Sequence, residues 1–534
     1  MVKDARDWFS HTTGLCGCSK HEEVAKLDLP PANKYVPDPA RCKLLSAEEA
    51  GVPVDVLAAP QAEGALGEHM RVPRLLVDTE VTKGYYMYDT SLRQPKATIF
   101  VQLSSALADG SVRGAALLRL LLEVLELAFN ELRYMAEEGG LTLDITNYSM
   151  STPCQGLRLF LHGYSDKLPT LLKDLLKALS ELEVTDDIFA MAKEKAILDY
   201  RNRKFQQPYA HAMLTHHRLL EDPFYTHEER AAAVEGLSAS DLASFVKEYL
   251  SELVIESFVI GNIAQSDAEE LLGGVETALG TQRPSALPEQ RMAKLEDKKI
   301  YTHTMLNPDV DHVDSAASIY FQIGERSHKS DAGLELLCQM LDKSAYTQLR
   351  TIEQLGYIVS TSVHERWGII GIRFAVQSVK SPEHIAERTL ELVKLFRTQL
   401  VEMDQEEFDE HISSLITKKL EPDRTLESKA ARFYYEIVTK KFCWDRREKQ
   451  VEHLREMTKD RLLQVFDEFF SSEGEHKREM RALVIGKEAR DLAGGAIVAS
   501  DTVVVTAAGE EGTAREMGVE EFRAATERFL TETP

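Results

Sequence analysis

Two stretches of this chain alternate apolar and polar positions behind a leading glycine: GLRLFLHG, Gly156 to Gly163, and GIRFAVQS, Gly371 to Ser378. Alternation with period two is the pattern of a half-buried strand. Each is followed by a break and then by a run whose apolar residues return every three or four positions, LPTLLKDLLKALSEL and PEHIAERTLELVKLF. That is the pattern of an amphipathic helix. Upstream, the helical runs GAALLRLLLEVLELAFNELRYMAEEGG and DAGLELLCQMLDKSAYTQLRTIEQLG both carry a Leu-Arg pair near the end and stop on glycine, a residue that terminates helices. Downstream, a helix opens on acids in each block (DDIFAMAKEKAILDY, EEFDEHISSLITKKL), and each block closes on a short strand, SFVIGN or ALVIGK. The landmarks repeat after about 215 to 225 residues, too long a period for a solenoid. The pattern predicts a duplicated domain.

Strands and helices mix in each block without regular β-α-β alternation, and GYIVSTSV, HERWG and IIGIRFAVQS read as an antiparallel hairpin with a short polar turn. Trp367 reads as an aromatic of that turn. The predicted class is α+β: two duplicated modules, each a mostly antiparallel sheet with helices packed on one face. Proline- and alanine-rich stretches set the partition. Residues 1–28 are an extension expected to be disordered, 29–70 a connector, 71–280 the first module, 281–297 a linker and 298–534 the second module.

Charge narrows the function. The chain has 87 acidic and 63 basic residues, a formal net charge of -24, which opposes the counterion-release attraction behind nucleic-acid binding. Nucleic acid and anionic membrane surfaces are excluded as expected partners. The six cysteines are scattered through 534 residues, the usage of a reducing compartment. The first residues show no apolar run long enough for a signal peptide and carry Asp4, Asp7, Glu22 and Glu23, where a transit peptide avoids acids. No stretch approaches the roughly 20 apolar residues of a membrane span. A cytoplasmic protein is the expectation.

The duplicated unit, the connector LPPANKYVP, the stretches QPKATIFVQL, GYSDK and QPYAHAM, and above all LRTIEQLGYIV with GIRFAVQS resemble the insulin-degrading-enzyme branch of the pitrilysin (inverzincin) family. The resemblance runs from about Leu29 to the end and covers the carboxyl-terminal half of such enzymes, their third and fourth modules, with a LuxS/metallohydrolase-like fold. Members are zinc endopeptidases whose two halves close like a clamshell around a peptide. Their amino-terminal half binds zinc through H-x-x-E-H. Here neither H-x-x-E-H nor H-E-x-x-H occurs, and no histidine stands between His69 and His162, where the third module's counterpart of the zinc helix falls. The resemblance therefore implies that this chain has no catalytic residues, binds no metal or other cofactor, and depends for zinc on a partner or missing amino-terminal half.

On local pattern alone Arg350 offsets a helix dipole and Tyr357 is a favoured strand residue. The resemblance implies more: the matching arginine and tyrosine hydrogen-bond the substrate backbone beside the zinc, as donors able to steady a carbonyl oxygen, and Tyr346 matches an aromatic of the same pocket. Arg350, Tyr357 and Tyr346 are thus the expected substrate-binding residues, and a peptide is the expected ligand. The rival expectation is an inactive homologue acting as a binding or scaffold subunit. A third reading uses His211, His216, His217, Glu221 and His227 as a metal site, but it lacks a third convergent ligand beyond His217 and Glu221. Cys16, Cys18 and His21 likewise lack a fourth. Arg133 stands where Arg350 stands in the repeat, but its tyrosine counterpart falls on Leu141 or Thr142, so Arg133 reads as structural.

Overall fold

The computed structural model describes residues 32–52, 72–148, 153–492, 502–507 and 514–530. The amino-terminal region contains β1 (Arg74–Asp78), β2 (Thr82–Tyr88), β3 (Lys96–Ser104), α1 (Ala106–Asp109), α2 (Val112–Ala128), α3 (Asn130–Glu138), β4 (Thr142–Tyr148), β5 (Pro153–Tyr164), α4 (Leu168–Ser180), α5 (Asp186–Asn202), α6 (Pro208–Leu220), β6 (Glu221–Asp222), α7 (His227–Glu235), α8 (Ala239–Ser251), β7 (Val254–Gly261) and α9 (Gln265–Leu279). After β8 (Arg291–Ala293) come β9 (Lys299–Leu306), β10 (Ser315–Glu325), α10 (His328–Ala345), β11 (Ile358–Arg366), β12 (Ile369–Ser378), α11 (Pro382–Glu402), α12 (Gln405–Lys419), α13 (Leu426–Val438), α14 (Arg446–Arg455), α15 (Lys459–Phe469), β13 (Arg478–Ile485), α16 (Lys487–Leu492), β14 (Thr502–Ala507), β15 (Arg515–Gly518), α17 (Val519–Ala525) and β16 (Arg528–Leu530).

The duplication is written in the sheets. The first runs β1-β2-β7-β3-β5-β4, and the second β11-β12-β10-β13-β9-β14-β15. Read from β4 and from β11, the two orders match over five strands, β4-β5-β3-β7-β2 against β11-β12-β10-β13-β9, and differ at the far edge, where the first ends on β1 and the second on β14 and β15. Each sheet holds one parallel pair at the same place, β2 with β7 and β9 with β13, among antiparallel neighbours. The hairpin read from the sequence is β11–β12, closed by the two residues Trp367 and Gly368. Both have positive φ, 55° and 76°, as a twist-matched two-residue turn requires.

One face of each sheet carries its own helices. In the first, Ile99, Val101 and Leu103 of β3 and Leu157, Leu159 and Leu161 of β5 are fully buried in one cluster with leucines of α2 and α4. In the second, Phe321, Ile372, Phe374 and Val376 pack with Leu337 and Leu341 of α10 and Phe396 of α11. Removing each such side chain from water contributes about 1.5–3 kcal/mol.

The opposite faces are covered by exchange. α6 lies on the second sheet, where Ala212 packs with Ala316, Ala482 and Val484. α13 lies on the first, where Leu426, Ala430, Phe433, Tyr434 and Ile437 pack with Met87, Phe100, Phe258 and Ile260. The two are 13-residue helices at corresponding positions of the repeat, so each half of the duplication lends the same element to the other. Phe100 and Tyr434 stack at 4.2 Å between ring centroids, and the Tyr434 hydroxyl donates to Gln102 at 3.0 Å. A third small sheet, β16-β8-β6, joins distant parts of the chain and draws β8 from the stretch 281–297. No described helix is long and apolar enough to cross a membrane.

Candidate functional site

α10 starts at a reciprocal cap between Ser327 and Ser330 and buries Leu334, Leu337, Met340, Leu341 and Ala345 along one stripe. It does not stop as a simple helix. Over Tyr346–Ile352 the backbone widens into π-helical turns, a local expansion often found where a helix carries function. The Glu353 N–H then donates to Gln348 O at 2.9 Å and the Leu355 N–H to Leu349 O at 2.8 Å. The wider turn keeps Leu349 fully buried while Tyr346 stays 47% exposed.

The chain leaves the helix through Gln354, the residue with left-handed backbone here, φ 50°. Gly356, expected to end the helix, has a different task. A β-carbon on it would lie 1.9 Å from the Gln377 carbonyl oxygen, so only glycine lets this loop press against β12. The Ser378 hydroxyl donates to Leu355 O, and β11 begins at Ile358, opposite Gln377. Asp342 of α10 accepts from the Thr361 N–H at 3.0 Å, capping a donor on the free edge of β11, where a strand would otherwise invite another chain.

This path brings the three expected residues together. The Arg350 guanidinium carbon lies 4.7 Å from the Tyr346 ring centroid and 4.5 Å from that of Tyr357. A cation between two aromatic rings is attracted by both quadrupoles. Tyr357 is 77% exposed. Arg350 makes no ion pair with any carboxylate among the described residues. The guanidinium N–H groups can donate to a carbonyl or carboxylate oxygen.

What sequence reasoning missed is the support. Glu353 receives both Nε and an Nη of Arg388, each at 2.9 Å, and accepts from Gln348 at 2.9 Å. The hydrogen bonds from Arg388 hold its carboxyl below the usual range. The signal was present in the sequence as an acid three residues after Arg350. Its partner on α11 was not visible there.

The corresponding place in the first module lacks this arrangement. α3 remains α-helical, Leu141 is buried, Thr142 opens β4, and no aromatic ring lies over Arg133 among the described residues. In the histidine run, His217 Nδ1 meets Glu221 Oε1. The third group is a cation, Arg366, whose Nε donates to Glu221 at 2.9 Å. Together they hold the Glu221 carboxyl down to about 2 against the burial that raises it. His216 is fully buried on the sheet and held neutral by that burial. These side chains tie α6 to the β11–β12 hairpin. Cys16, Cys18 and His21 lie outside the described residues. Neither H-x-x-E-H nor H-E-x-x-H occurs in the sequence, and among the described residues no group of three or more His, Cys, Asp or Glu could hold a metal ion.

Comparison with known proteins agrees with this architecture. Residues 9–233 match the family described as the middle or third domain of peptidase M16, and residues 336–434 match PQQ synthase PqqF-like, C-terminal lobe domain 4. The solved structure of pitrilysin superposes with a TM-score of 0.75 over 95% of this chain and 49% of its own, at 21% identity. A peptidase M16 inactive domain from Pseudomonas fluorescens superposes with a TM-score of 0.58 over 78% of this chain and 97% of its own, at 14% identity. The chain therefore belongs to the insulin-degrading enzyme and pitrilysin family of M16 peptidases. Within it, the chain corresponds to the carboxyl-terminal half. It is 31% identical over 426 residues to insulin-degrading enzyme-like 1, peroxisomal, of Arabidopsis thaliana, covering 78% of this chain and 43% of that protein. To insulin-degrading enzyme of Homo sapiens it is 28% identical over 422 residues, covering 78% of this chain and 41% of that protein. The chain thus spans less than half the length of these relatives.

Proposed function

We propose that this chain is the non-catalytic carboxyl-terminal half of an insulin-degrading-enzyme-like zinc metalloendopeptidase, active only with a zinc-bearing amino-terminal half. Residues 71–280 and 298–534 are its third and fourth modules, 29–70 connects toward the other half, and 281–297 links the two modules. It supplies chamber wall and holds the peptide backbone, in the cytoplasm. The observation that carries this reading is the Arg350 guanidinium beside the rings of Tyr346 and Tyr357, next to an exposed turn, with no carboxylate paired to it among the described residues. Such a group steadies a carbonyl oxygen as negative charge gathers on it. Zinc and the attacking water come from the partner.

The test is cleavage of a quenched fluorescent peptide by the purified chain, alone and mixed with the zinc-bearing half of a relative. Alone, the chain is expected to be inert and to carry no stoichiometric zinc. Mixed, it is expected to restore cleavage, and Arg350→Ala is expected to lower turnover by about one to two orders of magnitude. Chelator-sensitive cleavage by the lone chain would overturn the reading.

A second reading, an inactive homologue serving as a binding or scaffold subunit, draws support from the likeness in fold to the inactive M16 domain. It predicts no restored cleavage with any zinc-bearing half, and binding of a partner that survives Arg350→Ala.

A further inference from the structure

We infer that Glu353, anchored by Arg388, is the positioning residue that holds Arg350 in register with Tyr357; the inference rests on the peptide-site reading above. Arg350 and Tyr357 sit on different elements, the π-helical turns and the entry to β11, and residues 351–357 between them belong to no regular strand or helix beyond Ile352. Backbone hydrogen bonds from Glu353 and Leu355 hold part of that segment, and side chains tie it to its neighbours. Glu353 is the charged tie. It faces Arg388 of α11 on one side and Gln348 of the π-helical turns on the other, so one carboxylate fixes the turn against the neighbouring helix. Paired N–H···O bonds of this kind set an angle as well as a distance. Its side chain is 18% exposed and that of Arg388 35%.

The first module supplies the contrast. Three residues after Arg133 the chain has Ala136, buried at 0%, and α3 keeps ordinary α-helical turns. On α4, Asp174 is taken by the Tyr35 hydroxyl at 2.7 Å and Lys34 at 2.8 Å. The clamp therefore occurs where the arginine is sandwiched and is missing where it is not. Glu353 touches no ligand in this scheme. It sets where the donors point, and a displacement of about 1 Å at such a group is enough to cost one to two orders of magnitude.

The experiment uses the full chain with isotopically labelled arginine. In the wild type, the Arg350 guanidinium resonance is expected to be displaced by the ring currents of two tyrosines. In Glu353→Gln and in Arg388→Met it moves toward the position of a free arginine, and affinity for fluorescein-labelled insulin B chain, read by anisotropy, falls about tenfold. The exchanged pair Glu353→Arg with Arg388→Glu regains both. Arg388→Met alters the more exposed end of the clamp and serves if Glu353→Gln does not fold. An Arg350 resonance and a peptide affinity unchanged by either single variant would overturn the positioning role. A wild-type chain that fails to bind the peptide would instead overturn the peptide-site reading.

Discussion

Gly356 presses against the main chain of Gln377, leaving 1.9 Å between the carbonyl oxygen and any β-carbon placed on the glycine. Neither neighbour can yield cheaply, because the contact is backbone to backbone in the β12 strand. Gly356→Ala is expected to destabilise the fold by about 3 kcal/mol, at the upper end for overpacking. It is also expected to swing Tyr357 away from Arg350. Chemical denaturation measures the first effect, and peptide binding at a temperature where the variant is fully folded measures the second. A variant as stable as the wild type would contradict the packing.

Glu221 is a buried carboxylate shared by His217 and Arg366. Removing its charge leaves Arg366 without its carboxylate, beside the imidazole of His217. Glu221→Gln is expected to cost about 3–5 kcal/mol, the range for breaking one side of a buried pair. Replacing both groups, with Glu221→Gln and Arg366→Met, should cost less than the single change. Urea denaturation of the three variants decides it.

Acid should loosen the same region in two steps. Burial, reinforced by Arg373, His217 and His216, pushes the His364 imidazole down to about 2, with Glu221 the one neighbour acting the other way; burial pushes His227 down to about 4. A histidine with a depressed folded value contributes its full share above its unfolded value of about 6.5 and loses it as pH falls toward the folded one. At pH 5.5 each such group costs about 1.4 kcal/mol relative to neutral pH. Glu221, down at about 2, contributes fully above its unfolded value of about 4.5, and that share is lost as pH falls through about 2. Thermal midpoints from pH 7.5 to 4.5 are therefore expected to fall, and to fall less in His364→Phe. Equal slopes would reject the assignment.

Phe433 fixes α13 in the face of the first sheet. Phe433→Ala is expected to cost about 3–5 kcal/mol and to split one thermal transition into two, as the two sheets lose the helix that couples them. Calorimetry reads both.

Much of this architecture is legible in the sequence because it depends on local pattern. GLRLFLHG and GIRFAVQS lie within β5 and β12, and the hairpin around Trp367 follows from its flanking strands; the half-buried strand expected of β12 is instead buried at all but one position, because helices cover both faces of its sheet. Arg350, Tyr346 and Tyr357 were found through the family resemblance, since a helix end and a strand start look ordinary by pattern. The π-helical turns were not legible, because a one-residue widening leaves the apolar spacing almost intact. Nor was the placement of α6, whose Thr215 and Ala212 face a sheet formed by residues 90 or more positions away, in Met305, Ala316 and Val484. Strands as short as β6 and β8 have no period to read.

Reciprocal lending of α6 and α13 makes the pair of sheets a single inheritance. A fragment cut between the repeats would carry a bare greasy surface of Phe100, Phe258 and Ile260 on one side, and a helix with nowhere to dock on the other. Neither duplicate can be removed or expressed by itself without exposing what its twin had sheltered.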